Sequence, residues 1–192
     1  MAVKKNTVYF EKTGSANMEE TIKTAYERAV ELGIKDIVVA SNHGKTALKA
    51  AQVFDPAKFN VVAVTISESY KSEGWVMTKE EREKLLAKKI KVFTGTHAFG
   101  DDVGSVFTEK FGGKTFNEIV TQTLYRFSQG MKVCAEIILM AADAGLIPVD
   151  KEVIAIAGTG SGADTAIVAK SAYPRKFLDF KILEIIAKPR EG

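Results

Sequence analysis

Cysteine, histidine and proline are scarce in this chain of 192 residues, which contains one cysteine, two histidines and four prolines. The single cysteine, Cys134, excludes an internal disulfide and a zinc site built from several cysteines. The longest apolar runs, such as residues 137–142, are far shorter than the roughly 20 residues that a membrane helix needs. The first ten residues also lack a hydrophobic signal region, so we expect a cytoplasmic protein without a membrane partner.

A large excess of either charge is absent as well, because 27 basic residues are balanced by 24 acidic ones, for a net charge of +3. The lysines are scattered among acids and form no basic stripe with interleaved aromatic residues, so nucleic-acid binding is not indicated. Apolar residues make up 46% of the chain, which is ordinary for a globular protein. We expect one domain over residues 1–192, with residues 1–16 as an N-terminal strand extension.

Short runs rich in β-branched residues alternate with longer segments of helical periodicity, which predicts an α/β fold with three layers, helices on both faces of a sheet. The middle strands are apolar on both faces, as is typical of a buried parallel sheet. The predicted strands are Thr7–Phe10, Asp36–Ala40, Asn60–Ile66, Lys91–Thr94, Glu152–Ala157 and Phe180–Ile186.

Helix starts and stops are marked by capping residues. A helix is predicted over Met18–Leu32, with Asn17 and Glu20 as a capping pair and Gly33 as its stop signal. Two further capping pairs predict helix starts at Thr78 with Glu81 and at Thr115 with Glu118.

The helix that begins near Thr115 is predicted to break at Gly130 and to resume as far as Ala144. Within it, Glu136 interrupts an apolar run with Lys132 four residues earlier, which we interpret as a solvated helix face.

Two stretches, residues 67–77 and 95–114, lack clear periodicity, and loops of that length are usually functional or mobile. The first contains Tyr70 and Trp75, which would either stack on a flat ligand or form a subunit contact.

The segment S-N-H-G-K-T-A, residues 41–47, follows a predicted strand and opens into a predicted helix. A helix start offers N–H groups without partners, and Lys45 adds a full positive charge, so the segment outlines an anion site. It is not a Walker A loop, because Val39 occupies the position of the first glycine. The alternative interpretation is a plain strand–helix turn with a surface lysine.

A second glycine-rich segment, G-T-G-S-G-A-D, covers residues 158–164 and is expected to open another helix. Alternate glycines let backbone amides approach an anion closely. Gly158, Gly160 and Ala163 match G-x-G-x-x-A, but that dinucleotide motif belongs at the first strand of its fold, so we reject a dinucleotide site. The alternative is a flexible turn.

Both histidines follow predicted strands, His43 in the first loop and His97 after Lys91–Thr94. If the strands are parallel, both lie on the rim that carries the two loops. Each would contact a ligand or move a proton there, or else make a structural hydrogen bond.

Several of these segments resemble the C-terminal α/β domain of pyruvate kinase, and more closely a family of small stand-alone pyruvate kinase α/β-domain proteins. The resemblance runs from Gly33 to the C-terminus, through I-V-V-A-S-N-H-G-K-T-A, V-V-A-V-T, A-K-K-I-K-V-F and A-D-A-G-L-I-P-V-D-K-E-V-I-A-I-A-G-T-G-S-G-A-D-T. It implies a mixed, mostly parallel sheet of strand order 3-2-1-4-5 with an antiparallel last strand, plus the N-terminal strand.

In that order the two glycine-containing loops face each other, and in pyruvate kinases the corresponding loops hold the phosphates of a sugar-phosphate effector. Asn42, His43 and Lys45 depart from the usual kinase loop, where arginine is common at the lysine position, which favours a different phosphorylated ligand. The predicted cofactor-binding residues are Ser41, Asn42, His43, Gly44, Lys45, Thr46, Thr65, His97, Gly158, Thr159, Gly160, Ser161 and Gly162.

The stand-alone relatives are associated with flavin mononucleotide (FMN), so the resemblance implies that this chain binds FMN or another phosphorylated small molecule. The alternative is a flavin-dependent oxidoreductase with a histidine as proton donor. Pyruvate kinase activity is not expected, because in that family the active site lies in a barrel domain. A homo-oligomer is compatible with the resemblance, since the kinase domain contributes to subunit contacts.

Overall fold

The computed structural model describes residues 2–191, within which it has seven β-strands and six α-helices. The strands are β1 (Val8–Phe10), β2 (Asp36–Ala40), β3 (Asn60–Thr65), β4 (Lys91–Thr94), β5 (Glu152–Ala157), β6 (Thr165–Lys170) and β7 (Lys181–Pro189). The helices are α1 (Met18–Leu32), α2 (Lys45–Ala50), α3 (Lys79–Ala87), α4 (Val103–Phe111), α5 (Phe116–Tyr125) and α6 (Gln129–Asp143).

All seven strands form one sheet in the order β1-β7-β6-β5-β2-β3-β4. Strands β4, β3, β2 and β5 are parallel to one another and lie side by side, which confirms the predicted order of these four strands, with β4 at one edge of the sheet. Strand β6 is antiparallel to both of its neighbours, and β1 pairs in parallel with β7 at the edge. The mixed, mostly parallel α/β architecture predicted from the sequence is therefore confirmed.

One predicted helix is wrong. The segment after residue 164 was expected to be helical but forms β6, which pairs with β5 from Ala157 opposite Thr165 to Glu152 opposite Lys170. The first five residues of its sequence, T-A-I-V-A-K, are all buried. The sequence therefore has no pattern of polar positions that would distinguish a strand from a helix. Burial between β5 and β7 selects the strand.

Helices cover both faces of the sheet, because alternate strand residues point to opposite sides. On one side Ile37 and Val39 pack in a cluster with apolar residues of α1, α2 and α3. On the other side Val38 packs in a second cluster with α6. The sheet therefore has an apolar cluster and a layer of helices on each face.

Most predicted helix boundaries are confirmed. Thr78 and Thr115 each cap a helix in a complete capping box with the glutamate three residues later. Gly33 ends α1 in a left-handed conformation at φ 70°. Asn17 occupies the predicted N-cap position of α1, but it makes no side-chain capping bond, because its side chain donates to the Lys12 carbonyl at 2.7 Å and a short 3-10 turn precedes the helix.

The break before α6 lies at residues 126–128 rather than at Gly130. Ser128 caps the new helix by accepting a hydrogen bond from the N–H of Met131 at 3.0 Å. Gly130 lies inside the first turn of α6, where an added Cβ would be 2.2 Å from Oγ1 of Thr165. The glycine therefore allows α6 to approach β6 closely, which is a packing role rather than a break.

The two stretches without periodicity contain short helices. A 3-10 turn covers Glu68–Tyr70, and α4 begins after Asp102, whose carboxylate accepts from the N–H of Ser105 at 3.0 Å. None of the residues of α4 is buried. Because no face of this helix packs in the core, core packing does not require regularly spaced apolar residues in its sequence. Within residues 2–191, none of the helices combines the length and apolar character required to cross a bilayer.

Candidate functional site

A pocket of about 490 Å³ opens at the carboxyl ends of β2, β3 and β5. Its lining residues come from both glycine-containing loops, from α6 and from the segment before α1. They are Ser15, Met18, Ala40, Ser41, Asn42, His43, Lys45, Thr46, Val64, Thr65, Ile66, His97, Gln129, Lys132, Val133, Glu136, Ile137, Gly158, Gly160, Ser161 and Gly162.

The pocket brings together eleven of the thirteen residues that the sequence analysis selected. The other two, Gly44 and Thr159, belong to the same two loops but do not line it. Loops separated by more than one hundred residues in the chain meet here because β2 and β5 are adjacent and parallel. The structure thus places residues of both loops in one cleft.

In the first loop, the N–H groups of residues 42–46 have no acceptor among residues 2–191. Ser41 is already used by the protein, because its N–H donates to the Val64 carbonyl at 3.0 Å and its Oγ accepts from the N–H of Ala47 at 3.2 Å. Gly44 makes the turn at φ 79°. Because α2 has only six residues, its dipole is small, and the free amides and Lys45 carry the positive character of this wall.

Lys45 is exposed and has no carboxylate partner within the part of the chain that the structure describes. By contrast, Lys49 on the same helix pairs with Glu19 at 2.7 Å. An unpaired ammonium beside five unpartnered N–H groups is an arrangement that attracts an anion.

The second loop is a hairpin between β5 and β6 and therefore has no helix dipole. The buried carboxylate of Asp164 accepts from the N–H groups of Thr159 at 3.2 Å and Gly14 at 2.8 Å. The N–H of Ser161 donates to the Thr159 carbonyl at 2.9 Å. Among residues 2–191, no acceptor faces the N–H groups of Gly160 and Gly162, so two of the loop amides remain for a ligand.

Two hydroxyl groups near the pocket differ in what they contact. Oγ1 of Thr159 is buried and has no hydrogen-bond partner in the described chain. Thr65 is buried at the end of β3, where its Oγ1 lies 2.6 Å from Oγ1 of Thr94. The threonine in the glycine-rich loop is thus the one with unused hydrogen-bonding capacity.

The two histidines on the wall each lie beside a carboxylate. Nδ1 of His43 lies 3.2 Å from Oε2 of Glu81, and Nδ1 of His97 contacts Oδ2 of Asp101. Oδ1 of Asp101 accepts a hydrogen bond from the Tyr70 hydroxyl at 2.7 Å. That hydrogen bond is the main reason why the pKa of Tyr70 is raised to about 12.

The aromatic pair of the first aperiodic stretch lies next to this group. The rings of Tyr70 and Trp75 are stacked with centroids 5.5 Å apart, and the Tyr70 ring lies 6.2 Å from that of His97. Neither Tyr70 nor Trp75 lines the pocket itself. In this conformation the pair supports the wall and does not cover the cavity.

Sequence reasoning missed the contribution of α6. Glu136, which was interpreted as part of a solvated face, is buried at 4% side-chain exposure and pairs with Lys132 at 2.6 Å. The other oxygen of Glu136 accepts from the N–H of Phe99 at 3.0 Å. The residues that flank Glu136, Ala135 and Ile137, are also buried, and that apolar surrounding was the signal available in the sequence.

The charged residues that line the pocket are two lysines, Lys45 and Lys132, and one glutamate, Glu136. The formal net charge of the wall is therefore +1. Apolar side chains also line the cavity: Ala40 of β2, Val64 of β3, Ile66 just after β3, and Val133 and Ile137 of α6.

Comparison with known proteins gives one family match and several structural matches. The family described as pyruvate kinase, alpha/beta domain, matches residues 19–169. A pyruvate kinase from Cryptosporidium parvum is 14% identical with a TM-score of 0.37, and the match covers 78% of this chain and 22% of that chain. The Cryptosporidium parvum pyruvate kinase in complex with ADP is 15% identical with a TM-score of 0.38, covering 89% and 23% respectively. The chain thus spans less than a quarter of these two kinases.

Proposed function

The chain belongs to the pyruvate kinase alpha/beta domain family, and from its pocket we propose that it binds a phosphorylated small molecule, with FMN as the leading ligand. The observation that carries the proposal is the convergence of the unpaired Lys45, the free amides of residues 42–46 and the free amides of Gly160 and Gly162 on one cavity. Proteins commonly bind phosphate through such a combination of backbone N–H groups and a cation.

The phosphate end of the ligand is assigned to the two loops. Backbone N–H groups hold an anion without the loss of side-chain entropy, and Lys45 contributes a charge-assisted hydrogen bond.

The ring end is assigned to the apolar wall between β2, β3 and α6. Pockets that hold small-molecule cofactors have volumes of about 300–1,000 Å³, and the observed 490 Å³ lies within that range. Burial of a flat ring against Val64 and Ile137 would add hydrophobic stabilisation to the phosphate contacts. The combination favours FMN over a small phosphorylated sugar, which has no apolar face of that size.

A flavin-dependent oxidoreductase is the second candidate, and the specific observation in its favour is the position of the His97 imidazole on the pocket wall, beside the carboxylate of Asp101. In that case the flavin supplies the redox chemistry and the chain supplies binding and a proton-transfer group. Bleaching of the bound flavin by a reduced nicotinamide, at a rate above that of free FMN, would distinguish this function from binding alone.

The test compares FMN with riboflavin, which has the same ring but no phosphate, in the wild type and two lysine variants. Lys45→Ala should weaken FMN binding by about 1.5–3 kcal/mol, because a charge-assisted hydrogen bond is lost. Lys49→Ala is the matched control, since Lys49 lies on the same short helix but faces Glu19 and does not line the pocket. Calorimetry or flavin fluorescence measures each affinity.

Bound FMN should also stabilise the fold, by about 2.7 kcal/mol when free FMN is at a hundred times its Kd. The proposal predicts that riboflavin binds more weakly than FMN and that its affinity is insensitive to Lys45→Ala. Equal affinities for the two flavins, or equal effects of the two lysine substitutions, would show that the loops do not hold the phosphate.

A further inference from the structure

Two lysines line the pocket, and they differ in what they contact. Lys45 is exposed and has no carboxylate partner within residues 2–191. Lys132 lies on α6 with 12% of its side chain exposed, and its Nζ donates to Oε2 of Glu136 at 2.6 Å. Because an unpaired cation attracts an anion more strongly than a neutralised one, the two ammonium groups are suited to different parts of a ligand.

The carboxylate that neutralises Lys132 is held in place by the turn that contains Phe99. Oε1 of Glu136 accepts a hydrogen bond from the N–H of Phe99 at 3.0 Å, and the Glu136 side chain is 4% exposed. The Phe99 side chain is itself buried and packs in a cluster with Ala135 and Leu139 of α6. Both oxygens of Glu136 are therefore used within the protein, and the carboxylate in turn positions the Lys132 ammonium.

The Lys132 ammonium keeps hydrogen-bonding capacity for a ligand. An ammonium group has three N–H donors, and among residues 2–191 the carboxylate of Glu136 is its acceptor, so two donors remain. Val133 and Ile137, which follow the two charged residues on α6, also line the pocket. Because residues three or four positions apart are neighbours on a helix, the ion pair and these apolar side chains form one strip of the wall.

We propose that Lys132, held by Glu136, donates a hydrogen bond to an uncharged acceptor in the body of the ligand, and that Glu136 keeps this lysine from binding a second anion. The inference rests on the proposed function, which assigns the ring end of the ligand to the same wall. It narrows the ligand class to molecules with one anionic group and a flat body that carries a carbonyl oxygen or a ring nitrogen. FMN has this chemistry, and a sugar with two phosphate groups does not.

Burial explains why an ion pair suits this task. A lone ammonium in an apolar wall would lose its hydration without compensation, whereas a paired one stays charged and donates a stronger hydrogen bond than a neutral group. A phosphate bound to Lys132 would lie close to the carboxylate of Glu136, since Oε2 is 2.6 Å from the lysine nitrogen. An uncharged acceptor avoids that repulsion and still accepts from the ammonium.

The first test compares FMN and riboflavin in the wild type and in the double variant Lys132→Met with Glu136→Gln. The double variant removes one positive and one negative charge, and a glutamine side chain can still accept from the N–H of Phe99. Both flavins should bind roughly 10-fold or more weakly, because a charge-assisted hydrogen bond to the shared ring is lost. Lys45→Ala is the contrasting variant, which should weaken FMN alone. Thermal unfolding of each ligand-free variant checks that it remains folded.

A spectroscopic measurement locates the hydrogen bond on the ring. FMN labelled with ¹³C and ¹⁵N in the ring should show at least one carbonyl carbon or ring nitrogen whose resonance differs between the wild-type and double-variant complexes, because a hydrogen bond from Lys132 polarises its acceptor. The ³¹P resonance of the same two complexes should be unchanged, since the phosphate is assigned to the loops that contain Lys45 and the glycines.

Inorganic phosphate reports on the charge of the pocket without a flavin. The double variant should bind it with wild-type affinity. Glu136→Gln alone leaves Lys132 without its carboxylate, so this variant should bind phosphate roughly 2- to 10-fold more tightly than the wild type.

Three results would each overturn the inference: weaker phosphate binding in the double variant, a riboflavin affinity that the double variant leaves unchanged, or identical ring resonances in the two FMN complexes. If phosphate binds but FMN does not, the flavin proposal is lost. The phosphate affinities of the double variant and of Glu136→Gln then show whether Lys132 is an anion site, which would contradict the inference, or is neutralised by Glu136, which would support it.

Discussion

Lys132 and Glu136 form an ion pair across one turn of α6, with Nζ of the lysine 2.6 Å from Oε2 of the glutamate. The pair is buried in the wall of the pocket, at 12% and 4% side-chain exposure. A hydrogen bond from Phe99 to Oε1 of Glu136 joins the pair to the turn that carries His97. One buried carboxylate therefore connects the central helix of the site to the turn that contains Phe99.

Substitution of Lys132 by Met should lower the free energy of unfolding by about 3 kcal/mol, because the negative charge of Glu136 is then buried without a compensating cation. Urea denaturation followed by circular dichroism measures the change. Substitution of both residues, Lys132→Met with Glu136→Leu, should recover part of the loss, since no unpaired charge remains buried.

The matched control is the Lys114–Glu118 pair, which has the same spacing of four residues and an Nζ–Oε1 distance of 2.9 Å but lies at the surface. Lys114→Met should cost less than about 1 kcal/mol, as for other exposed ion pairs. Equal losses for the two lysine substitutions would mean that burial of the pair in α6 contributes nothing to stability.

These two pairs also show what sequence periodicity leaves undecided. Both have a lysine and a glutamate at helical spacing, so local sequence favours the same solvated helix face for each. The difference arises from tertiary contacts, because the turn containing Phe99 folds over Glu136 and leaves it 4% exposed, whereas Glu118 keeps 30% of its side chain exposed. Only the apolar neighbours of Glu136 indicated burial.

Strand β6 shows a second limit of local reasoning. A short apolar run such as T-A-I-V-A-K fits a buried strand or a buried helix equally well, and the glycine-rich segment before it fits a helix start or a hairpin. Pairing with β5 decides between them. The grouping of residues 41–46 with 158–162 was nevertheless predicted, because parallel strands carry ligand loops at their carboxyl ends and the strand order implied by the resemblance to pyruvate kinase makes β2 and β5 neighbours.

Two glycines of the hairpin loop should differ in their tolerance of a side chain. Gly160 and Gly162 have nearly equal φ values of 72° and 76°, so alanine at either position should cost about 1–2 kcal/mol from the left-handed backbone. At Gly162 the added Cβ would also lie 2.6 Å from Cα of Ser15, whereas at Gly160 no atom lies within 4 Å.

Gly162→Ala should therefore destabilise the protein by a further 1–3 kcal/mol, roughly the cost of overpacking. Chemical denaturation of both variants, side by side, measures the difference, with Gly160→Ala as the internal control for backbone strain. If the two variants are equally stable, the hairpin loop does not pack against the backbone of Ser15.

Cys134, the only thiol of the chain, is fully buried on α6. Burial is the main cause that raises the pKa of this thiol well above its ordinary value, and the negative charge of Asp164 adds to the effect. Its sulfur lies 3.8 Å from the Thr165 carbonyl, in the contact between α6 and β6.

The raised pKa of Cys134 predicts how stability depends on pH. Below the ordinary thiol pKa of about 8.5 the group is protonated in both states and contributes no pH dependence. Above it only the unfolded chain loses the proton, so the free energy of unfolding should fall with rising pH, by up to about 1.4 kcal/mol per pH unit. Urea denaturation at several pH values between 7 and 10 measures how the free energy of unfolding depends on pH. Cys134→Ala is the control, because its pH dependence arises from every titrating group other than the thiol. Identical slopes for the two proteins would mean that the thiol ionises as readily in the folded state as in the unfolded chain.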